Sequence, residues 1–253
     1  MDIPGWASAA GAAVIGLVIG SWLTAVIARV PDRQSLLHRP ARCPRCGVRL
    51  HAADMIPVAG WLRRRGRCRD CGEPFGRWYL ATELITAAAF AALTLRLGLS
   101  PALPAFCYLA AVGVALAIID IQHQRLPDAL TLTSYPVALA LLGLAAPAVA
   151  DGGRHFVLAL IGMAATGLFF LVPALIYPAG LGLGDVKLSG LIGLYLGWLG
   201  AEVLLAGVLA GYLLAAVTGI GLLVTRRATR KSHIPFGPFM LAGAFLVILV
   251  SGA

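Results

Sequence analysis

From residue 7 to residue 28 the chain carries no charged side chain. A helix needs about 20 such residues to cross the hydrocarbon of a bilayer. In lipid every backbone amide must find its partner within its own segment. This run is the first of eight apolar stretches, at roughly 7–28, 79–97, 101–121, 128–148, 155–178, 186–199, 201–224 and 234–252. The sixth is the shortest. Their lengths call for helices rather than strands. Turn residues punctuate them at Gly98 to Pro101, at Asp151-Gly152-Gly153 and at Gly197 to Gly200. Composition agrees, with 60% hydrophobic and 12% charged residues, against about 25% charged in a soluble domain. A soluble globule, a disordered chain, a collagen and a disulfide scaffold are all excluded. The fold class expected is an all-α polytopic membrane protein with about eight transmembrane helices.

The net charge is +9, and 12 of the 20 basic residues fall between Arg29 and Arg77. A second cluster comprises Arg226, Arg227, Arg230 and Lys231. In so apolar a chain these clusters read as loops retained in the cytoplasm. No nucleic-acid-binding module or aromatic-basic interleaving is visible, so no nucleic-acid partner is expected. Placing segment 29–77 in the cytoplasm puts both termini outside. It also puts the loops near 121–127, 179–187 and 225–233 in the cytoplasm. The last of these carries the second basic cluster, which played no part in choosing the orientation. The first span lacks a basic leader, and Asp2 precedes it. It therefore reads as a retained anchor rather than a cleaved signal.

Two CxxC pairs, Cys43-Pro44-Arg45-Cys46 and Cys68-Arg69-Asp70-Cys71, stand 21 residues apart, each followed by glycine at Gly47 or Gly72. Two such turns supply four thiolates for a tetrahedral metal site, with zinc the expected ion. A closed four-thiolate site has no open position, so its role is structural. The alternative is a set of reduced or redox-active cysteines. Cys107, alone in the third span, reads as a packed thiol.

Eleven acids are few enough to weigh singly. Asp32, Asp54, Asp70 and Glu73 balance charge in the basic segment, Asp151 and Glu202 lie in or near outer turns, and Glu83 lies just inside the second span. With Asp2 set aside at the terminus, Asp120, Asp128 and Asp185 remain. Asp120 closes the third span, and Asp185 sits in Gly182-Leu183-Gly184-Asp185-Val186-Lys187. The span count puts both at the same membrane face. An ionisable group inside a membrane is a functional hypothesis by default. Two carboxylates brought close share one proton, so one activates water while the other protonates a carbonyl oxygen. Each acid also has a structural reading. Asp128, after Pro127, reads first as a helix N-cap, with Thr131 three residues on. Asp120 could cap backbone groups or pair with Arg125. Asp185 could pair with Lys187 or cap the sixth helix. Gly182 and Gly184 follow no strand, so a dinucleotide-binding loop is excluded. They suit a broken helix end with close backbone approach.

These blocks together resemble the type IV prepilin leader peptidases, membrane aspartic peptidases with a GxGD signature. The resemblance runs through Gly20-Ser21-Trp22-Leu23-Thr24 to Arg29-Val30-Pro31. It continues in the cysteine segment with Ile56-Pro57-Val58-Ala59-Gly60-Trp61-Leu62 and Arg65-Gly66-Arg67-Cys68. It then takes in Asp120 through Asp128, Gly182 through Leu188, and Ile234-Pro235-Phe236-Gly237-Pro238-Phe239, from about residue 14 to 245.

The resemblance implies a first transmembrane helix over 1–28, a cytoplasmic four-cysteine zinc domain over 29–78 and a transmembrane peptidase core over 79–253. Asp120 and Asp185 would be the catalytic pair. Cys43, Cys46, Cys68 and Cys71 would be the zinc ligands, and Gly182, Gly184, Lys187, Pro127 and Asp128 would support the site. The substrates would be type IV prepilins or pseudopilins of type II secretion, cut after the leader's final Gly on the cytoplasmic side of a bacterial inner membrane. Many members also methylate the new N-terminus with S-adenosylmethionine. Trp22, Thr24, Met55 and Trp78-Tyr79-Leu80 depart from the family pattern. All lie in the N-terminal third, the part linked to methylation, and none touches the aspartates. Two rival readings of the residues remain at this point. One is a transporter with Asp120 and Asp185 as a proton or cation relay. The other is a membrane-anchored zinc scaffold.

Overall fold

The computed structural model describes residues 4–32, 34, 43, 45–49, 56–177, 182–227, 229 and 234–251. Asp2, Asp54, Met55, Arg230 and Lys231, which enter the charge and motif readings, lie outside the described residues. The described residues form α1 (Gly5–Arg29), α2 (Ala59–Arg63), α3 (Trp78–Leu97), α4 (Leu103–His123), α5 (Asp128–Ala145), α6 (Gly152–Ile176), α7 (Leu183–Leu199), α8 (Ala201–Val224) and α9 (Gly237–Val250), with a short 3-10 turn at Ala146–Ala148. Each of the eight apolar stretches holds a helix among the described residues. The short α2, inside the basic segment, is additional. The chain is a multi-pass membrane protein: α1, α3, α4, α5 with its 3-10 extension, α6 and α8 are each long and apolar enough to cross a bilayer. α7, with 17 residues, and α9, with 14, are shorter than a full span.

The chain divides into two compact units. The first comprises residues 1–99 with 107–118. Within it, α1 packs along α3. The contact is backbone-close because Gly16 and Gly20 lie one helical turn apart on the facing side. A Cβ on either would come within 2.7 Å of a Cα of α3, that of Ala87 or that of Glu83. Small residues at this spacing let membrane helices associate without a hydrophobic drive.

The second unit comprises residues 100–106 and 119–253. Its centre is α7, every residue of which from Leu188 to Trp198 is buried. α5, α6, α8 and α9 surround it. This explains why the sixth apolar stretch is short: a helix sheathed by protein does not have to match the bilayer. The closest pairing is α6 with α7, where Gly193 stands directly against the Gly162 carbonyl oxygen and the Thr166 hydroxyl. Thr166 Oγ1 donates to the Gly162 carbonyl at 2.7 Å or the Ser189 carbonyl at 3.0 Å. α8 by contrast buries only Gly207 and Gly211.

Candidate active site and metal centre

Asp120 lies near the end of α4, where the chain reverses. Gln124 takes the left-handed conformation (φ 51°) and closes the helix with its N–H on the Asp120 carbonyl at 2.8 Å. Pro127, extended at φ −66° and ψ 128°, then opens α5. The Asp120 side chain is 5% exposed. Its Oδ2 accepts the backbone N–H of Gly237 at 3.2 Å. Gly237 is the first residue of α9, and first-turn amides of a helix have no partner within it. The unpaired amide and the positive end of the helix dipole therefore both face Asp120.

Asp185 occupies the first turn of α7. Gly182 caps that turn in an extended conformation, and the Asp185 N–H bonds to its carbonyl at 3.0 Å. Gly237 has both Asp120 Oδ2 and Leu188 Cδ2 beside it, and Leu188 lies one turn along α7 from Asp185. Gly184 faces the reversing loop, where a Cβ would stand 3.0 Å from Leu126 Cβ. Its lack of a side chain therefore serves loop packing.

Asp128 does not cap α5. Pro127 is the N-cap residue, no side-chain cap bond forms, and Asp128 begins the helix itself. Its Oδ1 instead meets Lys187 Nζ at 2.7 Å. The expected capping role is corrected on this point, because an ammonium two residues beyond Asp185 offers full charge where the α5 amides offer only partial charge. Asp120 likewise takes a backbone amide as its partner, and Lys187 pairs with Asp128. Tyr135 also ties α5 to α7, its hydroxyl donating to the Lys187 carbonyl at 2.6 Å.

An aromatic wall stands beside the acids. Phe170 of α6 stacks on Tyr212 of α8, with centroids 5.7 Å apart, and Tyr212 meets Phe236 at 5.3 Å. Phe236 directly precedes Gly237, whose amide holds Asp120. Sequence reading did not single out Tyr135, Phe170 or Tyr212, since a lone aromatic in an apolar helix carries no local signal. Gly237 was within reach of it, as part of the Ile234–Phe239 block.

The four cysteines converge in the first unit. Each pair forms the same turn. The Gly47 N–H bonds the Cys43 carbonyl at 2.9 Å and the Gly72 N–H bonds the Cys68 carbonyl at 3.1 Å. Both glycines take positive φ, 70° and 69°, which only glycine adopts without penalty. All four Sγ atoms lie within 4.8 Å of one another, and Cys43–Cys71 and Cys46–Cys68 are both 3.8 Å apart. Metal–sulfur bonds of about 2.3 Å in a tetrahedron give sulfur–sulfur edges of about 3.8 Å. The set fits a tetrahedral metal ion. Backbone amides, first that of Cys71 and then that of Asp70, draw the Cys68 thiol down to about 7. For Cys71 the Glu73 amide favours the thiolate, but burial and the other three sulfurs outweigh it and push the thiol up to about 12.

Two family models match the chain. A model of the type IV leader peptidase family matches residues 107–224, and one of the bacterial peptidase A24 N-terminal domain matches residues 14–97. A Bacillus subtilis (strain 168) protein named prepilin leader peptidase/N-methyltransferase is 32% identical over 237 residues, covering 93% of this chain and 92% of the relative. A Myxococcus xanthus relative of the same name is 38% identical, covering 87% of this chain and 65% of the relative. One from Aeromonas hydrophila is 31% identical, covering 93% and 88%. No solved structure matches the chain.

Proposed function

The chain belongs to the type IV leader peptidase family, and from that membership we propose that Asp120 and Asp185 are the catalytic pair of an aspartic endopeptidase. Its substrates are type IV prepilins or type II secretion pseudopilins. The bond cut is the one after the leader's final Gly, at the cytoplasmic membrane face of the bacterial inner membrane. The positive-inside distribution of arginines supports that sidedness.

The observation that supports the reading is the Asp120 carboxylate, held by the Gly237 amide at 3.2 Å and set against that glycine together with Leu188, one turn along α7 from Asp185. Two such groups hold one proton between them. The ionised carboxylate takes a proton from water as the water oxygen attacks the scissile carbonyl. The protonated one gives its proton to the carbonyl oxygen. The tetrahedral intermediate then collapses, the C–N bond breaks, and the proton held by the pair passes to the leaving nitrogen. Peptide and water are converted to a carboxylic acid and an amine. The aromatic wall of Phe170, Tyr212 and Phe236 suits the apolar helix that follows a basic leader.

Zinc is the ion we assign to Cys43, Cys46, Cys68 and Cys71. Four thiolates leave it no open position, so it holds the two turns together and takes no part in cleavage. The new N-terminus would then be methylated. S-adenosylmethionine would supply an electrophilic methyl group to the terminal amine, which would lose one proton to water.

The test is leader removal from a cognate prepilin in membranes, read as a gel shift. Asp120→Asn and Asp185→Asn should each slow it by about 10²-fold or more, with expression intact. Cleavage at the normal rate by either variant overturns the two-aspartate mechanism.

A further inference from the structure

Asp185 is the third residue of α7, so the place of its carboxylate depends on how the first turn of that helix is held. The turn has little stiffness of its own. Gly182 caps it without a side-chain bond and Gly184 lies within it, and glycine carries more backbone freedom than any other residue. First-turn amides also lack partners inside the helix. The hold has to come from a neighbouring helix.

α5 supplies it, and it does so at one residue, Lys187, two positions beyond Asp185. Asp128 and Tyr135 stand seven positions apart on α5, two turns along the same face. Asp128 takes the Lys187 ammonium at 2.7 Å, but both side chains are open to solvent, and an ion pair so open holds weakly. Tyr135 takes the Lys187 backbone instead. Its hydroxyl donates to the carbonyl at 2.6 Å in a part-buried position. A bond to the main chain fixes the helix itself, whereas a bond to the tip of a flexible four-carbon stem lets it swing.

The surroundings fit this grip. α5 packs on α7 less closely than α6 does, so a long side chain is needed to span the gap. Gly190, one turn on from Lys187, receives it. A Cβ there would press on the Tyr135 hydroxyl oxygen but would stand 3.4 Å from the ring carbon Cζ. The missing side chain thus makes room for the oxygen, while the ring alone would leave space for a methyl group.

We infer that Tyr135 is a positioning residue for Asp185: its hydroxyl, seated on Gly190, pins the Lys187 carbonyl and so sets the first turn of α7. The inference rests on Asp185 being one of the catalytic pair. Tyr135 touches no reacting atom and carries no proton of the reaction. Its loss lets the turn shift, which slows the chemical step and leaves substrate binding as it was.

The experiment is steady-state cleavage of a purified prepilin by the full-length protein in nanodiscs, well below its Tm. Wild type is compared with Tyr135→Phe, Gly190→Ala, the double variant of these two and Asp185→Asn. Tyr135→Phe keeps the ring and removes only the hydroxyl. Gly190→Ala keeps the hydroxyl and fills its seat. Either single variant tests the grip should the other fail to fold. Each is expected to lower kcat about tenfold with KM within about twofold of wild type. The double variant should fall no further than either single one, because the methyl group meets only ordinary contact once the oxygen is gone. A kcat for Tyr135→Phe within about twofold of wild type overturns the inference. So does a loss expressed in KM alone, and so do losses that multiply in the double variant, since the two changes would then act separately. Asp185→Asn keeps the two levels apart. Normal cleavage by it overturns the two-aspartate reading, whereas its inactivity beside an unaffected Tyr135→Phe overturns only the positioning role.

Discussion

The backbone amide of Gly237 donates to Oδ2 of Asp120 across 117 positions of sequence, at 3.2 Å. This bond joins the late Ile234–Phe239 block to the first aspartate block. It makes the start of α9 a positioning element for a carboxylate carried by α4. A Cβ on Gly237 would lie 2.8 Å from Asp120 Oδ2 and 3.4 Å from Leu188 Cδ2. Gly237→Ala keeps the amide but forces the carboxylate to turn. We expect kcat for leader removal to fall by about tenfold to a hundredfold with KM little changed, since misplacement of about 1 Å can cost that much. Steady-state cleavage of a purified prepilin checks it. A normal kcat would remove Gly237 from the positioning of Asp120.

Lys187 and Asp128 meet at 2.7 Å with 32% and 63% of their side chains exposed. An ion pair this open contributes little, about 0–1 kcal/mol. Asp128→Ala should therefore slow cleavage by less than about tenfold, far less than loss of either proposed catalytic acid. A double-mutant cycle with Lys187→Met, read on thermal unfolding, should give a coupling below about 1 kcal/mol. If Asp128→Ala were as inactive as Asp120→Asn, a third acid would belong in the mechanism.

The cysteine cluster should lose its metal as the pH falls. The Cys68 thiol is drawn down to about 7 by the Cys71 and Asp70 amides, so its thiolate is present above that pH and is lost as the pH falls through it. Cys71, pushed up to about 12, holds a proton at neutral pH until a metal displaces it. Uptake of metal therefore releases protons and strengthens with rising pH. Zinc retained through dialysis at pH 8 should be progressively released below about pH 6, and Cys46→Ser should release it at higher pH. Metal analysis after dialysis decides. Retention independent of pH would rule out thiolate ligation.

Gly193 has no room for a side chain, because a Cβ would press on Thr166 Oγ1 and the Gly162 carbonyl oxygen. Gly193→Ala should destabilise the protein by about 1–3 kcal/mol, as overpacking does. In detergent its Tm should fall by roughly 2 °C or more. An unchanged Tm would mean that α6 and α7 separate at no cost.

The helices and the cysteine cluster were legible in the sequence, for a local reason. Membrane insertion is decided by about 20 consecutive side chains. A CxxC turn and its following glycine complete their geometry within five residues, as Cys43–Gly47 and Cys68–Gly72 do. Scarcity made the acids stand out, since an apolar chain has few places for a carboxylate.

What each acid touches was decided only by tertiary structure. Pro127 followed by Asp128 reads locally as a cap, yet Asp128 turns to Lys187, 59 positions away, because a full charge outcompetes partial ones. Nothing in the pattern of α7 marks it as the buried centre of its unit. That follows from glycines meeting backbone on α6, a steric match between two helices that neither encodes alone. The amide that holds Asp120 is free to do so because it opens a helix, and it reaches that carboxylate because the chain folds α9 back against the end of α4. Hydrophobicity and turn chemistry act over neighbouring residues and are written in order. Pairing of charges and close packing act through space, and only the folded chain sets them.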